Sequence, residues 1–319
     1  TNYKLFKNAV VRNNIIIWEK GSSKKIGYRH TKGKKNFQSL INSEKKTISI
    51  EKVLNYNQNW GLIFSLDERA FYLIDKIKVN TNSLRNYFPE ISQGLIAYDK
   101  YRGQSDEIIK QRKYHYNTKI KSTLKPWLWG SDINRYSVIW NKQEYIDYCD
   151  GIANPRQPKF FKGKRILIRE ITNPSIFAGY TDLELYNDPS IIIILENKSE
   201  SIFALLGILN SKLATYFHFK NSPKATKGAF PKILVKDIKE FPLKSEYKDV
   251  FIEKIVLYIL FLSQRKEFVN SSVSNNHIIQ LFEEIIDAMV MELYFKEDFE
   301  KTGIEFIKYV ERDFESIEG

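Results

Sequence analysis

A single cysteine, Cys149, stands in 319 residues, so no disulfide framework can brace the chain, and a reducing compartment, the cytoplasm, is the expected location. Histidine is almost as scarce: His30, His115, His218 and His277 are dispersed, with no metal-ligand spacing among them. The longest strongly apolar run, Ile255 to Leu262, falls well short of the roughly 20 residues that a membrane-spanning helix needs, and no membrane partner is expected. The opening residues, Thr1 to Phe6, show neither an initiator methionine nor the basic, apolar and small pattern of a targeting peptide. They read as the start of a piece excised from a longer protein.

Motifs that carry chemistry are missing as well. No Gly-rich loop joins a strand to a helix, and Gly163-Lys164 lacks the spacing of a phosphate-binding loop. Methylation of an adenine amino group needs an Asn/Asp-Pro-Pro-aromatic loop that orients the flipped base and stacks on it. Here Asn154-Pro155-Arg156, Asn173-Pro174-Ser175 and Asp188-Pro189-Ser190 lack both the second proline and the aromatic, and read as turns. A metal-dependent nuclease would need carboxylates and a lysine together; Asp182 and Asp188 ahead of Glu196-Asn197-Lys198 are a loose match of a kind common in lysine-rich chains. The expectation is a chain with no catalytic residue, no metal site and no cofactor of its own.

What is present is a substantial core and an uneven charge. Hydrophobic residues make up 43% of the chain, enough for two units of ordinary domain size. Residues 1–244 hold 42 Lys and Arg against 22 Asp and Glu, whereas residues 245–319 hold 8 against 16. A basic region joined to an acidic tail fits a molecule whose first part lies on a polyanion while the second faces away.

The pattern along the chain predicts an α+β fold: a mixed, strand-rich region followed by a C-terminal helical bundle. Strands are expected over residues 8–19 and 47–50 and a helix over 67–78. Further strands are expected over 95–98, 137–140, 165–171, 177–180 and 190–195, separated by Gly, Pro and Asn signals. Helical periodicity then takes over at 201–219, 247–268, 275–295 and 298–314.

Three polar stretches interleave basic residues with aromatics and amides: Tyr98 to Gln104, Arg156 to Arg165 and Lys220 to Lys232. Arginine and glutamine can pair with base edges, and lysine neutralises phosphates without reading sequence. The candidate DNA-contacting residues are Lys100, Arg102 and Gln104 in the first stretch, Arg156, Gln157 and Lys159 in the second, and Lys224 and Lys227 in the third. Surface loops are also polar for no reason but solvation.

Seven short motifs occur in a recognisable order: Ile91-Ser-Gln-Gly-Leu-Ile96, Leu124 to Tyr136 (LKPWLWGSDINRY), Gly163 to Arg169, Leu205 to Leu213, Gly228 to Ile233, Ile238 to Leu243 and Ile286 to Tyr294. Together they resemble the TaqI-like C-terminal specificity region of adenine-specific DNA methyltransferases, above all the fused type IIG restriction-modification enzymes. The likeness runs from about Val53 to about Phe295, and Val10 to Trp18 resembles the last strands of a methyltransferase fold. The resemblance implies the end of a methyltransferase-like domain and linker over 1–50, a DNA target-recognition domain over 51–244 and a helical region over 245–319. It also implies double-stranded DNA as partner and an N-terminal methyltransferase domain in the same parent chain. That domain would hold S-adenosylmethionine, with magnesium where the parent also cleaves. Since the methylation motifs are absent here, no catalytic residue carries over. The alternative function is a subunit that holds DNA without reading it while its helical tail docks a protein partner; a metal-dependent nuclease resting on Asp188, Glu196 and Lys198 is the lesser one.

Overall fold

The computed structural model of the chain describes residues 17, 20–21, 23–29, 36–55, 60–64, 66–225, 230–248, 250–265, 269 and 272–313. The strand expected over 8–19 lies outside them apart from Ile17. The chain divides into two compact units, residues 1–72 and 73–319. In the first, β1 (Lys25–Tyr28) pairs antiparallel with β2 (Lys46–Ser49), the strand anticipated near residue 47. Short helices α1 (Phe37–Ile41), α2 (Ile50–Asn55) and α3 (Trp60–Ile63) accompany this hairpin. Helix α4 (Glu68–Lys78) runs across the boundary of the two units, and in the second its Ile74 and Ile77 are buried.

The second unit is built on an antiparallel sheet in the order β4 (Ile91–Gln93), β11 (Ile191–Leu195), β8 (Arg165–Arg169) and β9 (Ala178–Thr181). The central strands, Arg-Ile-Leu-Ile-Arg and Ile-Ile-Ile-Ile-Leu, are continuous apolar runs because both faces of the sheet are covered, so no polar alternation is needed. Leu167, Ile191 and Ile193 face one way. There they join Trp127, Leu128, Ile146, Phe161 and Tyr186 in one core cluster. Alternate side chains point to the opposite face, where α6 (Ile202–Asn210) packs on β8 and β9. Helices α9 (Ile252–Gln264) and α10 (Asn275–Tyr294) pack on α6 in turn.

The other side of the large sheet carries a second one, in the order β10 (Tyr186–Asn187), β6 (Lys125–Leu128), β7 (Tyr145–Ile146) and β5 (His115–Tyr116). The small sheet and the acidic C-terminal helices thus lie on opposite sides of the large sheet. A two-stranded pairing of β3 (Thr81–Ser83) with β12 (Pro242–Lys244) ties the beginning of the unit to its end. Helices α5 (Asp106–Lys110), α8 (Val235–Lys239), α11 (Lys296–Thr302) and α12 (Phe306–Asp313) complete it. The fold is α+β, as the sequence predicts.

Several boundaries differ from those expected, each for a local reason. Residues 95–98 and 137–140 are not strands but extended segments that make isolated bridges, Ile96 with Asn154 and Val138 with Ile133. The helix expected over 201–219 is two helices, α6 and α7 (Lys212–Asn221), at 65° to each other. The break falls at Ser211, whose hydroxyl accepts from the Ala214 N–H and caps α7. The preceding Asn210 is buried and acts as a surrogate strand: its Oδ1 accepts from the Ala178 N–H at 3.1 Å and its Nδ2 donates to the Ala178 carbonyl at 2.9 Å. The last helix is likewise interrupted, by Gly303 in the left-handed conformation that ends α11. Residues 245–248 form a 3-10 turn, so α9 starts at Ile252 rather than near 247. No described helix is long and apolar enough to cross a membrane on its own.

Candidate nucleic-acid interface

Beside the small sheet the first basic stretch meets residues 151–154, which lead into the second. Ile96 bridges Asn154, with the Asn154 N–H donating to the Ile96 carbonyl at 2.9 Å and Ala153 N–H to the Ala97 carbonyl. Gln104 fastens the two loops: its Nε2 donates to the Ala97 carbonyl at 2.9 Å and the Gly151 carbonyl at 2.7 Å, and its Oε1 accepts from the Asp99 N–H at 2.9 Å. Its amide is therefore occupied by backbone.

Between Asp99 and Gln104 the chain makes a 3-10 turn, capped by Asp99 and closed by Gly103 at φ +84°, a conformation in which a side chain would be strained. The tip carries Lys100, Tyr101 and Arg102 outward, Tyr101 being 85% exposed. Arg102 makes no side-chain ion pair or hydrogen bond with a described residue. In the second loop Arg156 Nη1 donates to Asn154 Oδ1 at 2.7 Å, while its carbonyl accepts from the Tyr148 hydroxyl. Gln157 is exposed, and Lys159 pairs with Glu90 at 2.9 Å. Arg165, at the end of this stretch, is fully buried and donates to the carbonyls of Gly163, Leu183 and Leu185. Burial lowers it to about 10.

The third stretch is anchored just beyond β8, where Lys232 bridges Ile171. Its returning arm is tied to the residues after β8, by the Thr172 N–H to the Pro231 carbonyl and by Lys232 to Glu170 at 2.8 Å. Lys224 is exposed, and Lys227 lies outside the described residues. Gly94, in the first of the seven ordered motifs, marks a close approach: a Cβ there would overlap the carbonyls of Asn187 and Asp188, so the chain leaving β4 can lie against the end of β10 only with glycine. Of the nuclease residues, Asp188 accepts from the Ser190 N–H at 3.1 Å and is raised by burial, and Glu196 pairs with Lys164 at 3.6 Å. Among the described residues no His, Cys, Asp and Glu side chains gather into a group able to hold a metal.

Residues that sequence reasoning passed over flank the first loop. The Tyr98 hydroxyl accepts from the Tyr114 N–H at 2.9 Å and shares a hydrogen bond with His115 Nδ1 at 2.7 Å. Burial pushes the Tyr98 hydroxyl up to about 12 and holds His115 down to about 3, with the Arg112 charge adding to the latter. His115 is thus neutral. Its ring meets Trp127 edge-on, Trp127 meets Trp129, and the Arg112 guanidinium lies 5.4 Å from the Trp129 ring centre. Glu144 accepts from both, at 2.6 Å from Arg112 Nη2 and 2.7 Å from Trp129 Nε1. The one signal available in the sequence was the repeat of tryptophan two residues apart in Lys125-Pro-Trp-Leu-Trp129.

Residues 125–243, from β6 to β12, match the family model of the TaqI-like C-terminal specificity domain. A protein of Methanocaldococcus jannaschii named as a type II restriction enzyme and methyltransferase is 26% identical over 305 residues, covering 92% of this chain and 24% of the relative. The chain therefore spans about a quarter of that relative's length. Among solved structures, the type IIL restriction-modification enzyme MmeI in complex with DNA is similar over 64% of this chain and 32% of its own, at 14% identity and a TM-score of 0.37. The type IIG restriction endonuclease BpuSI is similar over 82% and 37%, at 12% identity and a TM-score of 0.36.

Proposed function

We propose that the chain reads double-stranded DNA sequence-specifically, as the target-recognition part of a restriction-modification protein. The observation that carries this reading is the joining of the basic loop 98–104 to residues 151–154, which lead into the basic stretch 156–165, within a chain whose residues 125–243 match a TaqI-like specificity domain. The acidic helices on the far side of the large sheet keep like charge away from the phosphates.

Recognition divides between two kinds of contact. Lys100, Arg102, Lys159, Lys224 and Lys227 neutralise phosphates, fixing register and giving affinity a steep salt dependence. Arg156 and Gln157 supply donors and acceptors for base edges. Gln104, whose amide is held by backbone, sets the position of the first loop rather than reading a base. The parent protein is an adenine-N6 methyltransferase whose N-terminal domain binds S-adenosylmethionine, flips the adenine and methylates it. This chain supplies placement and no catalytic group. Fusion to an endonuclease would add cleavage at the same site.

Selection from a randomised duplex library at moderate and high salt tests the reading. A discrete enriched motif that survives a salt increase which weakens overall retention is the expected result. Retention that is salt-sensitive yet without sequence preference would favour the alternative in which the chain holds DNA without reading it.

A further inference from the structure

Glu144 presents an unusual economy of hydrogen bonds. Its side chain is 11% exposed, yet both groups it accepts from, the Arg112 guanidinium and the Trp129 indole, sit at the surface, at 46% and 40% exposure. Water could satisfy either one. The neighbouring indole of Trp127 is 2% exposed, and its Nε1 has no hydrogen-bond partner among the described residues. A buried carboxylate that serves two half-open groups while a buried donor goes without contributes orientation rather than satisfaction of buried polar atoms.

The backbone at the same place is also unfavourable. Arg112 has φ +48°, the left-handed position after α5 where glycine would be at ease and a long side chain is strained. The guanidinium is thus delivered by a strained residue, clamped through Nη2 by Glu144 and flanked by the Trp129 ring. Among the described residues no other hydrogen bond or ion pair holds the guanidinium, so its remaining N–H groups are available to an acceptor pair such as guanine O6 and N7.

We infer that Arg112 is a specificity-determining residue that reads a guanine edge, with Glu144 and Trp129 as the positioning residues that aim it. This rests on the reading of the chain as a sequence-specific DNA binder and adds the base class and the residue. The Tyr98–His115–Trp127 contacts link this group to the root of the loop carrying Lys100 and Arg102, so phosphate and base contacts share one scaffold.

The same library selection on the 319-residue chain, three single variants and one double variant decides it. Arg112→Gly relieves the backbone and so is expected to fold; Arg112→Lys keeps the charge but loses the fork. Both should lose discrimination at one guanine position by ~10-fold or more, in the range of a bidentate base contact, and keep the rest of the motif. Glu144→Gln should relax the same position partially, and combined with Arg112→Gly should add nothing there, an outcome that a general structural role of Glu144 would not produce. An unchanged motif in Arg112→Gly overturns the inference and leaves the function standing. Absence of any motif in the unsubstituted chain overturns both.

Discussion

The two four-stranded sheets of the second unit are held by different physics. In the large sheet, Ile191 to Ile194 are all at most 2% exposed, and apolar packing against α6 on one face and the small sheet on the other fixes them. The small sheet has strands of two to four residues and takes its shape from side chains: Gln104 fastening loops, Glu144 aiming Arg112 and Trp129, Tyr98 bonded to His115. Dispersion and burial need no particular donor, so the first construction tolerates conservative exchange. Hydrogen-bonded scaffolds fix geometry, and that suits a surface whose reading depends on it.

The sharpest way to separate the two is to damage each. Ile193→Ala, in the shared core, should cost about 2–5 kcal/mol in urea unfolding and loosen the whole unit. Acidification should come next. His115, held down to about 3, and His218, held down to about 4, are neutral in the fold, whereas the unfolded chain protonates them near 6.5. Between those values the unfolded chain binds protons that the fold cannot, so stability is full above about pH 6.5 and declines as pH falls. Asp188 and Asp237, raised by burial, act oppositely and soften the decline at its acid end. The urea midpoint should therefore drop between pH 7 and pH 4.5, and His218→Gln should flatten that slope.

Smaller effects belong to the outer layer. Glu144→Ala should cost about 1–3 kcal/mol and red-shift Trp129 emission, since the indole loses its anchor; an unaltered spectrum would contradict the clamp. Gln104→Ala should cost about 1–2 kcal/mol, seen as faster hydrogen exchange at the Asp99 and Ala153 amides with the β8–β11 amides unaffected. Arg102→Ala, at an exposed tip, should change stability by no more than ~0.5 kcal/mol while lowering the salt slope of DNA binding by about one.

The contrast also explains what could be read from the sequence. The continuous apolar runs of β8 and β11 and the helical stripes of α6, α9 and α10 are periodicities, and they were visible. So was the fold class. The break at Ser211 was not, because an Asn-Ser pair inside a helical stripe signals a new cap only once Asn210 is seen bonding Ala178. On α10 a stripe of apolar residues runs in the sequence through Ile278, Leu281, Ile285, Met289 and Leu293, but the buried apolar side chains include Ile286, Met289, Val290 and Leu293, and Leu281 is 47% exposed. In the interface, charge identified loops 98–104 and 156–165, but it could not separate Arg102 at the surface from Arg165 in the core, or Gln104 as a fastener from Gln157 in solvent. Those distinctions depend on contacts between residues dozens of positions apart.

Sequence-specific reading is most directly tested by measuring, at one salt concentration, the affinity of the 319-residue chain for an enriched duplex and for a scrambled duplex of equal length and composition. A recognition domain should prefer the first by about a thousandfold or more. Equal affinities, falling together as salt rises, would contradict it.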